Sequence, residues 1–487
     1  MLNKSIIISL ISILVFSFII TVQIVDVSAV DPPKAEKAVE SNKLPTLLDD
    51  DFLVEEFVTG LHVPTNMEFI GNDLLVLQKN DGKVRLIRDN ILQNQPVLDV
   101  EVSTYVTQGL LGITSKDSTV YLFFTEAFHD GGLSLANRIY AYTWNGEKLI
   151  EPRLVKTLSG WPQGGGSHFG GAMTTDFSKN LYVTTGDQYK FGILQNFLPS
   201  ESFYCKHGTI CSYIEKISFF DSVKNTFSCV NVSFHHYTTN PASYQTEQPD
   251  LGDNPWETNP SFVLGNLEAC FTAFLYNNFS NGHWKDTSVI LKIEPNDDDY
   301  FAIGIRNSFG ITIDPLTGKL WITENGPDQY DEINLVLEKS NLGWAKHMGP
   351  INEESTSIIP GYEEYVYKNP EFSWELPVAP TALEFVDSNM FQKYKNWLFV
   401  ADSINGNIYK FRLNSDRTGF MFDQPHLQDN VLNIVDEPGN NLVESMDEIL
   451  FGKNFGIISD IEFGPDGALY VISLSEGTIY KIISNVR

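Results

Sequence analysis

The sequence predicts an all-β fold, a six-bladed β-propeller, and three observations carry that expectation. A short apolar strand, a polar turn containing Asp, Asn or Gly, and an aromatic or β-branched strand recur six times along the chain. Each copy alternates apolar and polar residues with period two, the signature of a strand with one face buried. No run of amphipathic helix separates the copies, so the pattern is hairpins in series, which ring closure accommodates without exposed edges. A sandwich or a β-helix is the alternative architecture.

The copies are Thr65–Leu77, Gly109–Thr125, Gly171–Thr185, Phe309–Thr323, Thr381–Ala401 and Ile458–Ser473. Further strands follow several of them: Lys83–Arg88, Arg138–Trp144, Asn407–Leu413 and Thr478–Ile483. Residues 188–287 fit no copy and read as an insertion between blades three and four. All four cysteines, Cys205, Cys211, Cys229 and Cys270, fall inside it, as do the glycosylation-type triplets at Asn231 and Asn278. In an exported chain these cysteines are expected as disulfides, paired locally as Cys205–Cys211 and Cys229–Cys270. A metal site with His207, His235 and His236 is the alternative, without any CxxC spacing to support it.

Export is read from the N-terminus. Lys4 precedes an uncharged apolar run, Ser5–Val25, and Val27-Ser28-Ala29 offers a small-residue cleavage site. Residues 1–29 are therefore expected to be a signal peptide or an N-terminal membrane anchor, residues 30–50 a flexible tether, and residues 51–487 the propeller. Either way the folded part is placed outside, secreted or held at the outer face of the cytoplasmic membrane.

The chain has 487 residues, 33 Lys+Arg against 62 Asp+Glu, and a net charge of -29. So acidic a chain lacks the basic face that phosphate binding wants, which argues against a nucleic-acid partner. Acidity suits solubility and hard cations such as calcium.

Loop segments at the strand ends bring chemistry to the fold. Gln108 lies in Thr107–Gly112, which opens the second copy. His168 lies among five glycines in Gly164–Gly171, ahead of the third. Glycine lets backbone approach a flat ligand, and an imidazole there titrates in the range useful to a general base. A turn histidine with local hydrogen bonds is the plainer reading. Asp187 closes the same copy, as a possible turn cap. Arg306 and Asn307 open the fourth, and Glu324–Glu332 closes it. Arg306 suits a carboxylate or a quinone oxygen, or an ion pair with Asp331 or Glu332. Gly326 and Pro327 can turn carbonyls toward a cation, with Asp328, Asp331 and Glu332 supplying carboxylates nearby.

Taken in order, GLLG, the His-x-Gly-Gly loop, LYVTTGDQ, G-x-RN, ENGP-x-x-x-DEIN, NLGW, VAP and GPDGALYV resemble the soluble glucose and aldose sugar dehydrogenases that depend on pyrroloquinoline quinone (PQQ). The resemblance runs from about Phe57 to Ile483, broken by the insertion. It implies a six-bladed propeller with PQQ and calcium as cofactors and a sugar or alcohol as substrate. His168 would take the proton of the anomeric hydroxyl, with Asp187 supporting its loop. Gln108, Arg306 and Asn307 would line cofactor and substrate. The carbonyls of Gly326 and Pro327 would hold one calcium, and Glu332 with the carbonyl of Leu342 a second, structural one. The electron acceptor is not named by any residue.

The chain departs from that pattern at three places. Ser167 stands where an acidic residue often precedes the His, and Phe309 where a Gln commonly follows the RN pair. The fifth-blade turn, Ala401–Gly406, carries no cation for the cofactor carboxylates, leaving Lys395 or Lys410 as substitutes. Two other readings fit the same residues: a non-catalytic propeller that binds a glycan or a protein, and a calcium-dependent lactonase without quinone.

Overall fold

A computed structural model describes residues 45–158, 160, 167–188, 193–196, 286–294, 298–351, 361–437 and 440–485. The signal or anchor segment, all four cysteines and both glycosylation triplets lie outside these residues. No helix among the described residues is long and apolar enough to cross a membrane.

The described residues form an all-β, propeller-like fold whose sheets are antiparallel meanders. The first sheet runs Pro64–Ile70, Asp73–Gln78, Lys83–Arg88, Ile91–Leu92, and the second Leu110–Lys116, Thr119–Ala127, Ser134–Trp144, Leu149–Leu158. The third runs Met173–Thr175, Leu181–Thr185, Val289–Ile293, Asp298–Ile303, extended by two short parallel strands. The fourth begins Ile311–Ile313, Leu320–Glu324, Asp331–Val336, and the fifth Pro380–Phe385, Leu398–Asp402, Ile408–Phe411. The sixth runs Ile458–Phe463, Leu469–Ser473, Thr478–Ser484 and takes its outermost strand, Phe52–Val58, from the beginning of the described chain. First strands pack side by side in sequence order, and that of the sixth sheet returns against that of the first.

The core is divided among the sheet interfaces. Leu75, Leu77, Val84, Ile113 and Leu122 pack the first sheet on the second, while Met67, Val76, Tyr470 and Ile472 pack the sixth on the first. Phe391, Phe399, Phe451 and Phe455 fill the space between fifth and sixth. Each such ring contributes roughly 1.5–3 kcal/mol by leaving water. Second strands such as Leu181–Thr185 and Leu398–Asp402 are buried on both faces, because a sheet stacks on each side of them. Acidic side chains on first strands stitch neighbours together. Asp460 Oδ2 accepts from the Met67 amide at 2.8 Å, and Glu68 Oε1 accepts from the Ser115 amide at 3.0 Å.

Two boundaries read from the sequence change. The insertion does not fall between the third and fourth sheets. It lies within the third, because Leu181–Thr185 pairs directly with Val289–Ile293 in the register Thr185–Val289. A hundred-residue interruption hides that hairpin from any local pattern. The fold also begins before Asp51. Thr46–Leu47 pairs with Leu450–Lys453 at the edge of the fifth sheet, and the Tyr394 hydroxyl donates to Asp49 Oδ2 at 2.5 Å.

One end of the sheets carries all the candidate residues. In a meander, the turn after a second strand and the lead-in to a first strand share one end. Lead-in and turn are hydrogen-bonded there: Lys79 N donates to Val63 O at 3.0 Å, Asn325 N to Asn307 O at 2.9 Å, and Ser403 N to Ala379 O at 3.0 Å. Contacts also pass to the next sheet, as in Leu110 N to Lys79 O at 3.0 Å, Asp187 N to Arg306 O at 2.8 Å and Phe455 N to Gly406 O at 3.0 Å.

Candidate functional site

The third and fourth sheets meet at a buried polar cluster. His168 sits in the lead-in to Met173–Thr175 with φ 62°, a left-handed backbone rare for a residue with a Cβ. Its Nδ1 lies 2.7 Å from Asp187 Oδ1, and both side chains are buried. Asp187 Oδ2 in turn accepts from the Trp344 indole N–H at 2.8 Å. A carboxylate held on both oxygens fixes the imidazole it faces.

Arg306 completes the cluster. Its guanidinium carbon stands 5.4 Å from the centre of the Trp344 ring, a cation–π contact. Nη1 donates to the Asn325 carbonyl at 2.8 Å, and the Arg306 amide donates to Glu324 Oε1 at 2.7 Å. Arg306 makes no ion pair with Asp331 or Glu332 among the described residues. Gly186 allows the loops to converge. A Cβ there would stand 2.2 Å from the His168 carbonyl oxygen and 2.8 Å from that of Arg306. Only glycine admits this crossing of three backbone segments.

Asp331 takes a different part from the one expected of it. Its Oδ1 accepts from the Gly326 amide at 2.7 Å, and its Oδ2 from the amides of Val378 and Ala379, each at 2.6 Å. It therefore shapes the Gly326–Pro327 turn and ties the fourth sheet to the fifth. Burial pushes its carboxyl up to about 6. Asp328 is exposed. Glu324 and Glu332 are opposite one another across Leu320–Glu324 and Asp331–Val336. Glu332 accepts from the Gly349 amide at 2.6 Å and the Asn334 side chain at 2.9 Å, and burial pushes it up to about 7. Burial, and then the Glu332 charge, hold Glu324 well above the usual carboxylate range.

Gln108 lies apart from this cluster, on the second sheet, its Oε1 accepting from Ser103 Oγ at 2.5 Å. Leu342 is buried next to Gly343, whose Cβ position faces Tyr367, and Tyr367 feels the charges of both Glu332 and Glu324. Neither lysine named as a substitute reaches this end. Lys395 sits in the connection from Pro380–Phe385 to Leu398–Asp402, at the opposite end, 3.9 Å from Asp387. Lys410 donates to the Leu450 carbonyl at 2.7 Å from within its strand. In the fifth-sheet turn, Asp402 folds inward to accept from the amides of Asn405 at 2.7 Å and Gly406 at 2.8 Å.

The cluster fits an elongated polar ligand. Arg306 Nε, Asn307 Oδ1 and Asn325 Oδ1 are buried without a hydrogen-bond partner among the described residues. Three such atoms at one crossing are costly unless something pairs with them. Glu324 Oε2 is likewise unpartnered beside Glu332, an arrangement that a cation would relieve. No three His, Cys, Asp or Glu side chains among the described residues converge on a metal position, so a cation here would draw on backbone carbonyls.

Trp344 and Lys79 were not foreseen. Trp344 stood in the NLGW motif with no role assigned, and only the fold brings its indole under Arg306 and onto Asp187.

Comparison with known proteins places the chain in a family and supports its fold. The family model for glucose/sorbosone dehydrogenase matches residues 61–211 and 280–481. An aldose sugar dehydrogenase of Escherichia coli is 27% identical over 187 residues, which span 38% of this chain and 43% of that protein. The PQQ-bound aldose sugar dehydrogenase of Streptomyces coelicolor superposes with a TM-score of 0.53 at 16% identity, covering 90% of this chain and 99% of its own. The soluble aldose sugar dehydrogenase of E. coli, in its apo form, gives 0.53 at 19% identity, covering 89% and 100%. At these identities the superpositions speak for the fold. The family match covers most of the chain, and the chain belongs to the glucose/sorbosone dehydrogenase family.

Proposed function

We propose that this member of the glucose/sorbosone dehydrogenase family oxidises an aldose sugar, or a related alcohol, at its anomeric hydroxyl, with PQQ and calcium. The single observation that carries the proposal is the continuous chain His168–Asp187–Trp344–Arg306, which sets a fixed imidazole beside a buried guanidinium.

Asp187 as acceptor at Nδ1 favours the tautomer with the proton on that nitrogen, leaving Nε2 as the atom that takes the substrate hydroxyl proton. Arg306, anchored on Asn325 and stacked on Trp344, would hold negative charge with its remaining donors. Asn307 and Asn325 would satisfy polar atoms along the ligand edge. PQQ, when bound, supplies the two-electron acceptor for the alcohol carbon. The carbonyls of Gly326 and Pro327 would hold the calcium of the reacting site, and Glu332 with the Leu342 carbonyl a structural one.

The finer architecture belongs to the same proposal. The sheets would form six blades, which the return of the last first strand onto the first supports. The chain would be exported through residues 1–29, cleaved or retained as an anchor, with disulfides and glycans in the segment inserted after Asp187.

The test is reduction of a dye acceptor by purified protein with sugar, PQQ and calcium. His168→Gln is expected to lower kcat at least 100-fold while PQQ still binds. Wild-type turnover in His168→Gln would remove the imidazole from the reaction. Glycan binding without turnover in the wild type would favour the non-catalytic propeller.

A further inference from the structure

We propose that Lys79 is a second anion-binding residue of this site and pairs with a carboxylate of the bound cofactor, an inference that rests on the PQQ reading above. Lys79 follows Asp73–Gln78 and stands in the first sheet where Asn325 stands in the fourth. Each gives its amide to the lead-in of its own sheet, Val63 O at 3.0 Å and Asn307 O at 2.9 Å. Asn325 is the residue that holds Arg306. Lys79 is thus at the corresponding point of the same end, on another sheet.

It is also in contact with the Gln108 turn. The Leu110 amide donates to the Lys79 carbonyl at 3.0 Å. A Cβ on Gly109 would lie 2.5 Å from Lys79 Cγ, so the lysine stem fills the floor of that turn. Nζ donates to the Val106 carbonyl at 2.9 Å and to Asn80 Oδ1 at 3.2 Å. An ammonium has three donors, and both of these acceptors are neutral.

No carboxylate among the described residues lies within ion-pair distance of Lys79. The nearest in sequence, Asp81, is taken by Lys83 at 3.1 Å and by Gln78 Nε2 at 2.8 Å. In a chain of net charge -29, a half-buried cation without an acidic partner among the described residues is unusual. Burial pushes its ammonium down to about 8. Among the other described lysines at this end, Lys346 and Lys453 are exposed and Lys83 is paired with Asp81. The ligand chemistry that fits is an anionic group delivered from outside, and PQQ brings three carboxylates.

The experiment is calorimetric titration of the full chain with PQQ in the presence of calcium. Lys79→Met keeps the stem and removes the charge. It is expected to weaken PQQ binding tenfold or more, whereas Lys79→Arg stays within about threefold of wild type. Lys83→Ala, which breaks a half-buried pair, is expected to leave the affinity unchanged. At pH 8.5, binding to the wild type should take up protons, read from the dependence of the heat on buffer ionisation, and Lys79→Met should reduce that uptake. Wild-type affinity and proton uptake in a Lys79→Met protein of normal melting temperature would overturn the assignment while leaving the PQQ reading intact. Failure of the wild type to bind PQQ would overturn both.

Discussion

Gly186→Ala is the sharpest test of how the site is assembled. The added methyl would lie 2.2 Å from the His168 carbonyl oxygen and 2.8 Å from that of Arg306, where ordinary contact begins at 3.4 Å. Both are backbone atoms, so no rotamer change relieves them. The His168 loop, the Arg306 loop, or both must move by roughly 1 Å, and they carry the two groups whose separation matters most. Misplacement on that scale costs on the order of 100-fold in rate, and overpacking of this kind costs about 1–3 kcal/mol in stability. The assay is dye-linked sugar oxidation at saturating PQQ and calcium, paired with a thermal melt. The expected result is kcat/KM down about 100-fold, with a melt lowered by a few degrees and still cooperative. A Gly186→Ala protein within threefold of the wild-type kcat/KM would refute the claim that this crossing sets the catalytic geometry.

Two further outcomes follow from other parts of the molecule. Glu384 stands within electrostatic reach of Glu68, Asp460 and Glu462 on neighbouring first strands. Burial, and then the charge of Glu68, push it up to about 8 against the Thr312 hydroxyl that holds it down. A carboxyl raised in the folded state gives its full stability at or below pH 4.5 and loses it as pH climbs toward 8. At pH 7 the loss is about 3 kcal/mol, at roughly 1.4 kcal/mol per pH unit. Glu384→Gln should therefore melt near the wild type at pH 5 and several degrees above it at pH 8, by calorimetry; equal melting at pH 8 would contradict it. Trp344→Phe removes the indole donor from Asp187 while keeping a ring under Arg306. It should cost about 1–3 kcal/mol in chemical denaturation. Combined with Asp187→Asn it should cost less than the two single changes together, and full additivity would sever the proposed link.

Much of the ring was legible because each hairpin carries its own pattern. FIGNDLLVL or FGPDGALYV states strand, turn and strand within a dozen residues. The His168–Asp187 contact was expected only from the family resemblance, and it forms because the two residues flank one short hairpin. What escaped depends on contacts distant in sequence. Val289–Ile293 is the partner of Leu181–Thr185, but about a hundred residues separate them. Thr46–Leu47 looked like tether because two residues carry no period, and its strand exists only on the edge that Leu450–Lys453 offers. Asp331 looked like a cation ligand because a carboxylate beside Gly-Pro suggests one. Its actual partners include the amides of Val378 and Ala379 on the next sheet. Lys79 drew no notice because a lysine in a polar turn is ordinarily solvated. It is half-buried because the Gly109 turn of the second sheet packs against its stem.

The hairpin that both releases and recovers the chain after Asp187 has an evolutionary consequence. Thr185 and Val289 face each other as one rung, so the two stumps of the inserted segment are already neighbours before anything is built between them. Lengthening a loop whose ends are fixed costs only about 0.6 kcal/mol per doubling. Lineages can therefore exchange what is spliced there, from a tight turn to a whole subdomain, without retuning the wheel beneath. The splice opens directly beyond the carboxylate held against His168, so whatever is spliced there departs from the edge of the buried polar cluster.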